Sequence, residues 1–191
     1  LALCTGPDIE YVAVREASGD VSVVAAARLS AHFGEGAEIV ARLRGSDLVG
    51  WRYEPLFPYF AEHPNAFRVL ADAFVSTGDG TGIVHLAPAY GEDDFRVCRE
   101  AGIELVDPLD AEARFTAQVP DYAGQFCKDA DKEIITALRQ SGKLVHHGTI
   151  QHSYPYDERT DTPLIYRAIE AWYVRVSDLR ESLVAQNDTV N

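Results

Sequence analysis

The chain has 191 residues, and its 17 Lys+Arg against 30 Asp+Glu give a formal net charge of −13. With 47% hydrophobic and 25% charged residues it is composed like a folded domain with a sizeable core, which excludes a disordered chain; no apolar run approaches the ~18 residues of a membrane span. The acidic balance also excludes a protein that grips duplex DNA along its length, because phosphate neutralisation supplies most of that affinity.

There is no methionine and the first residue is Leu1, so the sequence reads as a piece of a longer chain. Cys4, Cys98 and Cys127 are far apart and never in a CxxC pair, which fits reduced thiols in a cytoplasmic protein better than a disulfide framework or a structural zinc site.

In chain order, residues 9–15 and 21–26 are rich in β-formers and flank the turn-prone Ala17-Ser18-Gly19-Asp20, which predicts a hairpin. Residues 29–33 suggest one short helical turn. Residues 37–43 read as a strand with Ile39, Ala41 and Leu43 on one face. Pro55, Pro58 and Pro64 among aromatics make 50–64 an ordered loop. The alternation of Phe67, Val69, Ala71, Ala73 and Val75 favours a strand over 66–75, and 82–86 is a second, short one. Asp93 or Asp94 opens a helix that Gly102 stops; Asp129 or Asp131 opens another, with Ile134, Ala137 and Leu138 as its apolar stripe and Gly142 as its end. Residues 144–147 and 150–154 read as strands, the charged run 157–161 as a solvated loop, and Ser177 as the cap of a terminal helix over 178–186. The helices do not alternate regularly with the strands. That argues for a mixed α+β fold, a β-barrel-like core or bent sheet with flanking helices, rather than a doubly wound sheet.

Chemistry concentrates in Gly80-Thr81-Gly82-Ile83-Val84-His85-Leu86-Ala87-Pro88-Ala89-Tyr90-Gly91-Glu92-Asp93-Asp94. Two glycines permit a tight turn or a close backbone approach, and the strand delivers His85 near its end. Three carboxylates then stand at a helix start. Capping and the helix dipole account for such a residue, but three exceed what capping needs, and one so held can receive an ammonium group. His85 is open to a plainer reading as a strand histidine satisfied by a carbonyl. His146, His147 and His152 suggest no metal site, since adjacent strand residues face opposite sides. No GxSxG elbow, Walker loop or GxGxxG fingerprint is present.

The 80–94 segment closely resembles the signature of the editing domain inserted in isoleucyl-tRNA synthetases, which are class I aminoacyl-tRNA synthetases. Residues 1–14, Tyr53-Glu54-Pro55-Leu56-Phe57, His152-Ser153-Tyr154-Pro155 and Thr162-Pro163-Leu164-Ile165-Tyr166-Arg167-Ala168 fit the same family in the same order. Valyl and leucyl relatives carry Lys or Met where this chain has His85. The resemblance implies the editing-domain fold shared by these synthetases, with an editing core over 1–155 and a connector with a C-terminal helix over 156–191 leading back to the synthetic domain. It implies hydrolysis of the ester in mischarged Val-tRNA(Ile), with the 3′ CCA end of tRNA(Ile) and the parent's synthetic domain as partners. It also implies no metal or cofactor in this stretch, ATP and Mg belonging to the parent enzyme, and a cytoplasmic location.

By position, the resemblance assigns Asp94 to the substrate's α-ammonium and His85 to the neighbourhood of the terminal adenosine and ester. Thr81, Gly82, Ile83, Ala89 and Tyr90 fall in the pocket, while Glu92 and Asp93 are capping or supporting residues. Two departures stand out. A threonine-rich peptide that forms one pocket wall in the family precedes the segment matching Leu1, and Tyr156-Asp157-Glu158 replaces the family's usual His-Cys-Trp. Trp172 lies in the returning connector, as a packed interface aromatic or a guide for the tRNA end. The alternatives are a valyl- or leucyl-type editing domain and a non-catalytic insertion that binds the tRNA 3′ end.

Overall fold

The computed structural model describes residues 1–34, 36–149 and 153–190. Among them are two three-stranded sheets and four α-helices, the mixed architecture expected, but the strands close no barrel. The first sheet has β1 (Ala2–Thr5) at its centre, parallel to β5 (Val69–Ala71) and antiparallel to β6 (Ile83–Leu86). The second has β2 (Glu10–Arg15) between β3 (Val21–Ala25) and β4 (Glu38–Arg44), all antiparallel. The predicted hairpin is β2–β3, and the short helical turn is α1 (Leu29–His32), entered through a 3₁₀ turn at Ala26–Arg28.

β4 corrects the single-face expectation. The β2–β4 register shifts between Ala13 and Val14, so Val40 bulges and the strand changes face across it. Leu43 joins Tyr11 and Ala25 on one side, while Ile39 joins Val12, Val14 and Val24 on the other.

Alternation on the first sheet sets up the site. Ala2, Cys4, Val84 and Leu86 face α2 (Glu92–Glu100) and its buried Val97 and Cys98. Leu3 and His85, partners across the β1–β6 ladder, share the opposite face. The two sheets meet at Tyr11, which is fully buried; its hydroxyl donates to the Gly82 carbonyl at 2.6 Å and accepts from the Gly6 N–H at 3.0 Å. Burial of such a ring is worth roughly 1.5–3 kcal/mol. The Thr5 hydroxyl is likewise buried, against the carbonyls of Gly45 and Leu70.

Residues 104–143 form a lobe of turns with α3 (Asp131–Gln140), whose Ile134 packs with Val119, Tyr122 and Ala130. Gly102 and Gly142 follow α2 and α3 with φ of +69° and +70°, the helix-stopping conformation read from the sequence.

Three strand or cap expectations fail. The strand over 66–75 shrinks to β5, because Phe67 turns to φ +54° on one side and the Asp72 carboxylate takes the Phe74 N–H on the other. Residues 144–147 lie outside any strand, with Val145 almost fully exposed and, among the described residues, no ladder beside them. In the segment 150–154, residues 150–152 lie outside the described residues, and Ser153 and Tyr154 are not in a strand. The terminal helix α4 (Val176–Asn187) begins before Ser177, with Arg175 at the cap position. The charged run 157–161 is an exposed turn in which the Asp157 carboxylate accepts from the Thr160 N–H, closed by a Tyr156–Pro163 bridge.

Candidate functional site

The cavity side of the first sheet carries the site. A cavity of about 640 Å³ lies between the β1–β6 face and the 104–143 lobe. Leu3, His85 and Tyr90 line one side; Tyr53, Phe57 and Tyr59 from the proline-rich loop and Val106, Phe115 and Ile134 from the lobe line the rest. Its walls are overwhelmingly apolar and aromatic, with few polar groups converging on it, the usual character of a small-molecule site. Among the described residues the buried phenol of Tyr53 has no hydrogen-bond partner, and burial pushes its pKa up to about 12.

His85 is at the junction of sheet and cavity, open to solvent along one edge and crowded by apolar neighbours on the others. That desolvation lowers its pKa from the ordinary imidazole value against the opposing pull of Asp94, and so favours the neutral ring. The Leu1 nitrogen donates to Leu86 O at 2.6 Å and lies 3.1 Å from His85 Nε2.

Asp94 is the third residue of α2 and caps nothing. Its Oδ1 reaches back across the Ala87–Tyr90 turn to accept the Ala87 N–H at 2.6 Å. A Cβ on Gly91 would come within 2.5 Å of Oδ2, so glycine is needed beside it. Among the described residues nothing hydrogen-bonds Oδ2. The carboxylate's charge is felt at His85 on one face of the sheet and at Cys4 and Cys98 on the other, and Asp94 itself does not line the cavity. The other two carboxylates do not cap either: Asp93 pairs with Arg96 at 2.9 Å, and Glu92 is exposed. Arg96 also holds Asp72 with both terminal nitrogens, at 2.9 and 3.1 Å, and so pins α2 to the turn after β5.

The remaining candidates separate. Thr81, Gly82 and Ile83 are at the far end of β6, where Ala25 N–H donates to Thr81 O, Tyr11 to Gly82 O, and Ile83 packs on Tyr11; none of the three lines the cavity. Arg28 and His32 hold Gly80 O at 2.8 and 2.9 Å. Ala89 is buried, and its carbonyl accepts from the Ala168 N–H at 2.8 Å. Only Tyr90 of this group reaches the cavity. Sequence reasoning assigned no role to the aromatic wall, although the proline-aromatic run 53–60 was its visible signal.

No thiol is poised as a nucleophile. Cys4 and Cys98 are fully buried, and burial raises all three thiols, Cys4 to about 12. His146 and His147 are exposed on an extended segment, and His152 lies outside the described residues; among the described residues no three metal-ligating side chains converge. No helix is long and apolar enough to cross a membrane.

Comparison with known proteins places the whole chain. An isoleucine–tRNA ligase of Bdellovibrio bacteriovorus is 49% identical over 193 residues, 98% of this chain and 18% of that protein. One of Mycobacterium tuberculosis is 46% identical over 100% of this chain and 19% of its own length, and the cytoplasmic one of Caenorhabditis elegans is 44% identical over 98% and 17%. The chain thus spans under a fifth of these relatives. No protein-family model matches it. The crystal structure of GlLeuRS-CP1, a leucyl-tRNA synthetase CP1 domain, superposes with a TM-score of 0.54 over 78% of each chain at 18% identity, which shows a shared fold. By homology along its whole length, this chain belongs to the isoleucine–tRNA ligase family and matches a part of those enzymes that has the CP1 fold.

Proposed function

We propose that this chain is the editing domain of an isoleucine–tRNA ligase and hydrolyses the ester of Val-tRNA(Ile), residues 1–155 forming the editing core and 156–191 the connector to the synthetic part. The observation that carries the reading is His85 on the wall of an apolar cavity, with Asp94, whose charge acts on it, fixed through one oxygen by the N–H of Ala87 on that same wall. A carboxylate oxygen without a partner is a receptor for an α-ammonium group, and the neutral imidazole beside it can direct a water without adding charge.

In this mechanism the charged CCA end enters with its α-ammonium on Asp94. A water attacks the ester carbonyl carbon, the bond to the ribose oxygen breaks, and that oxygen leaves with a proton as the ribose hydroxyl. Valine and free tRNA are the products. No covalent intermediate forms, consistent with the high thiol pKa values, and placement of the ester supplies most of the acceleration. A second sieve is needed because one methylene changes binding by only ~1–3 kcal/mol, a limit for which isoleucyl-tRNA synthetase is itself the standard worked example. Only a single-stranded end need touch this acidic domain, read by stacking and edge contacts rather than along a phosphate track.

The test is deacylation by the full-length ligase of Val-tRNA(Ile) against Ile-tRNA(Ile). Valine release at least ~10-fold faster than isoleucine release is expected from the methylene limit. Equal, slow release of both would favour an insertion that only binds the tRNA end.

A further inference from the structure

Two adjacent connector residues hold the surroundings of the candidate site, Arg167 through the 107–110 stretch and Ala168 through Ala89 of the Ala87–Tyr90 turn. Arg167 spends its whole guanidinium there: Nε on the Asp107 carboxylate, Nη1 on Asp110 O at 2.6 Å and Nη2 on Leu109 O. Both ionic partners are largely shielded from solvent, with side-chain exposures of 23% and 17%. The other oxygen of Asp107 accepts the Tyr90 hydroxyl at 2.7 Å and the Leu109 N–H at 3.0 Å. One residue on, Ala168 N–H donates to Ala89 O.

Tyr90 lines the cavity, and its N–H closes the Ala87–Tyr90 turn onto Ala87 O at 2.8 Å. Ala87 N–H is the donor that fixes Asp94. An unbroken series of hydrogen bonds therefore runs from Arg167 through Asp107 and Tyr90 to the turn that holds Asp94. Beyond Ala168 the chain is open: Ile169, Trp172, Tyr173 and Val174 are all strongly exposed. Residues 167 and 168 are the place where the position of that exposed segment is passed to the loop.

We propose that Arg167 is a positioning residue for the hydrolysis: through Asp107 and Tyr90 it fixes the Ala87–Tyr90 turn and hence the carboxylate of Asp94, so that the seating of the connector sets the competence of the site. This rests on the editing reading above. A bidentate, charge-assisted grip is needed because a shift of about 1 Å at a reacting group costs ~10²-fold in rate.

The experiment uses the full-length ligase with Arg167→Met, Arg167→Lys and Asp107→Asn, all confirmed folded by unchanged aminoacylation. Two readouts are taken: kcat and KM for Val-tRNA(Ile) deacylation, and hydrogen exchange of the 86–95 amides. Arg167→Met is expected to lower deacylation kcat by about 10- to 100-fold at nearly constant KM, and to speed exchange at Ala87 and Tyr90 about tenfold or more. Arg167→Lys keeps the charge but not the fork, and restores part of both. Exchange that stays at the wild-type rate in Arg167→Met and Asp107→Asn would overturn the proposal. Faster exchange in an enzyme whose wild type clears no Val-tRNA would instead keep the link between Arg167 and the turn and remove the editing reading. If Arg167→Met does not fold, the same two readouts on Arg167→Lys and Asp107→Asn decide.

Discussion

Replacing Asp94 with alanine is expected to reduce clearance of Val-tRNA(Ile) by the full-length ligase about 10²-fold or more, while isoleucine activation and transfer stay near wild type. The loss has two parts. The substrate's ammonium loses its charge-assisted acceptor, so the ester is no longer held where water can reach it. Ala87 N–H loses its partner as well, which loosens the turn after β6. Asp94→Asn separates the two. Its amide oxygen keeps the Ala87 bond, but the NH₂ group now faces the substrate's ammonium, so deacylation should fall as far as in the alanine variant with the turn intact. Measured Val-tRNA clearance at the wild-type rate in Asp94→Asn would remove the anchor assignment. Desolvation disfavours the charged form of His85, so the carboxylate carries the electrostatics near it.

Gly82→Ala carries the largest expected effect on stability. Glycine 82 has φ of +77°, and a Cβ built on it would sit 2.5 Å from the Cβ of Ala25. The left-handed backbone costs an alanine roughly 1–2 kcal/mol, and the overlap adds about 1–3 kcal/mol because the methyl of Ala25, fixed on β3, cannot rotate aside. Against a total stability of about 5–15 kcal/mol this is a large share. A drop in the urea midpoint is the measurement, with unchanged slope. Ala25→Gly in the same molecule relieves the overlap but not the backbone conformation, so it should recover part of the loss. A Gly82→Ala protein with the wild-type midpoint would mean that the sheets do not approach as closely as Tyr11 and Gly82 require.

Local chemistry was legible wherever it was self-contained. The β2–β3 hairpin follows from alternation around Ala17-Ser18-Gly19-Asp20, and Gly102 and Gly142 announced their helix ends because few other residues accept a positive φ. What depends on a distant partner was not. Residues 144–147 find no ladder to join among the described residues, and the Val40 bulge exists only because β2 holds β4 in a shifted register. The carboxylates at the start of α2 looked like caps by position, yet Asp93 is taken by Arg96 and Asp94 by Ala87.

The site divides in the same way. His85 and Asp94, nine residues apart, were singled out from one segment, and the fold brings Asp94 near enough for its charge to act on His85. Thr81, Gly82 and Ile83 share that segment but lie at the opposite end of a four-residue strand, at the junction between the sheets. The cavity wall is contributed by 53–60 and 106–134, stretches that no local pattern connects to His85. Arg167 reaches Asp107 across 60 positions, a pairing that spacing cannot announce.

The most direct measurement is a crystal structure of the full-length ligase with a non-hydrolysable analogue in which valine is joined by an amide to the terminal adenosine. The account predicts the analogue's α-ammonium within about 3 Å of Asp94 Oδ2, its isopropyl group against apolar wall and the His85 ring beside the amide carbonyl. An analogue bound with its ammonium away from Asp94, the carboxylate engaged only with Ala87, would contradict it.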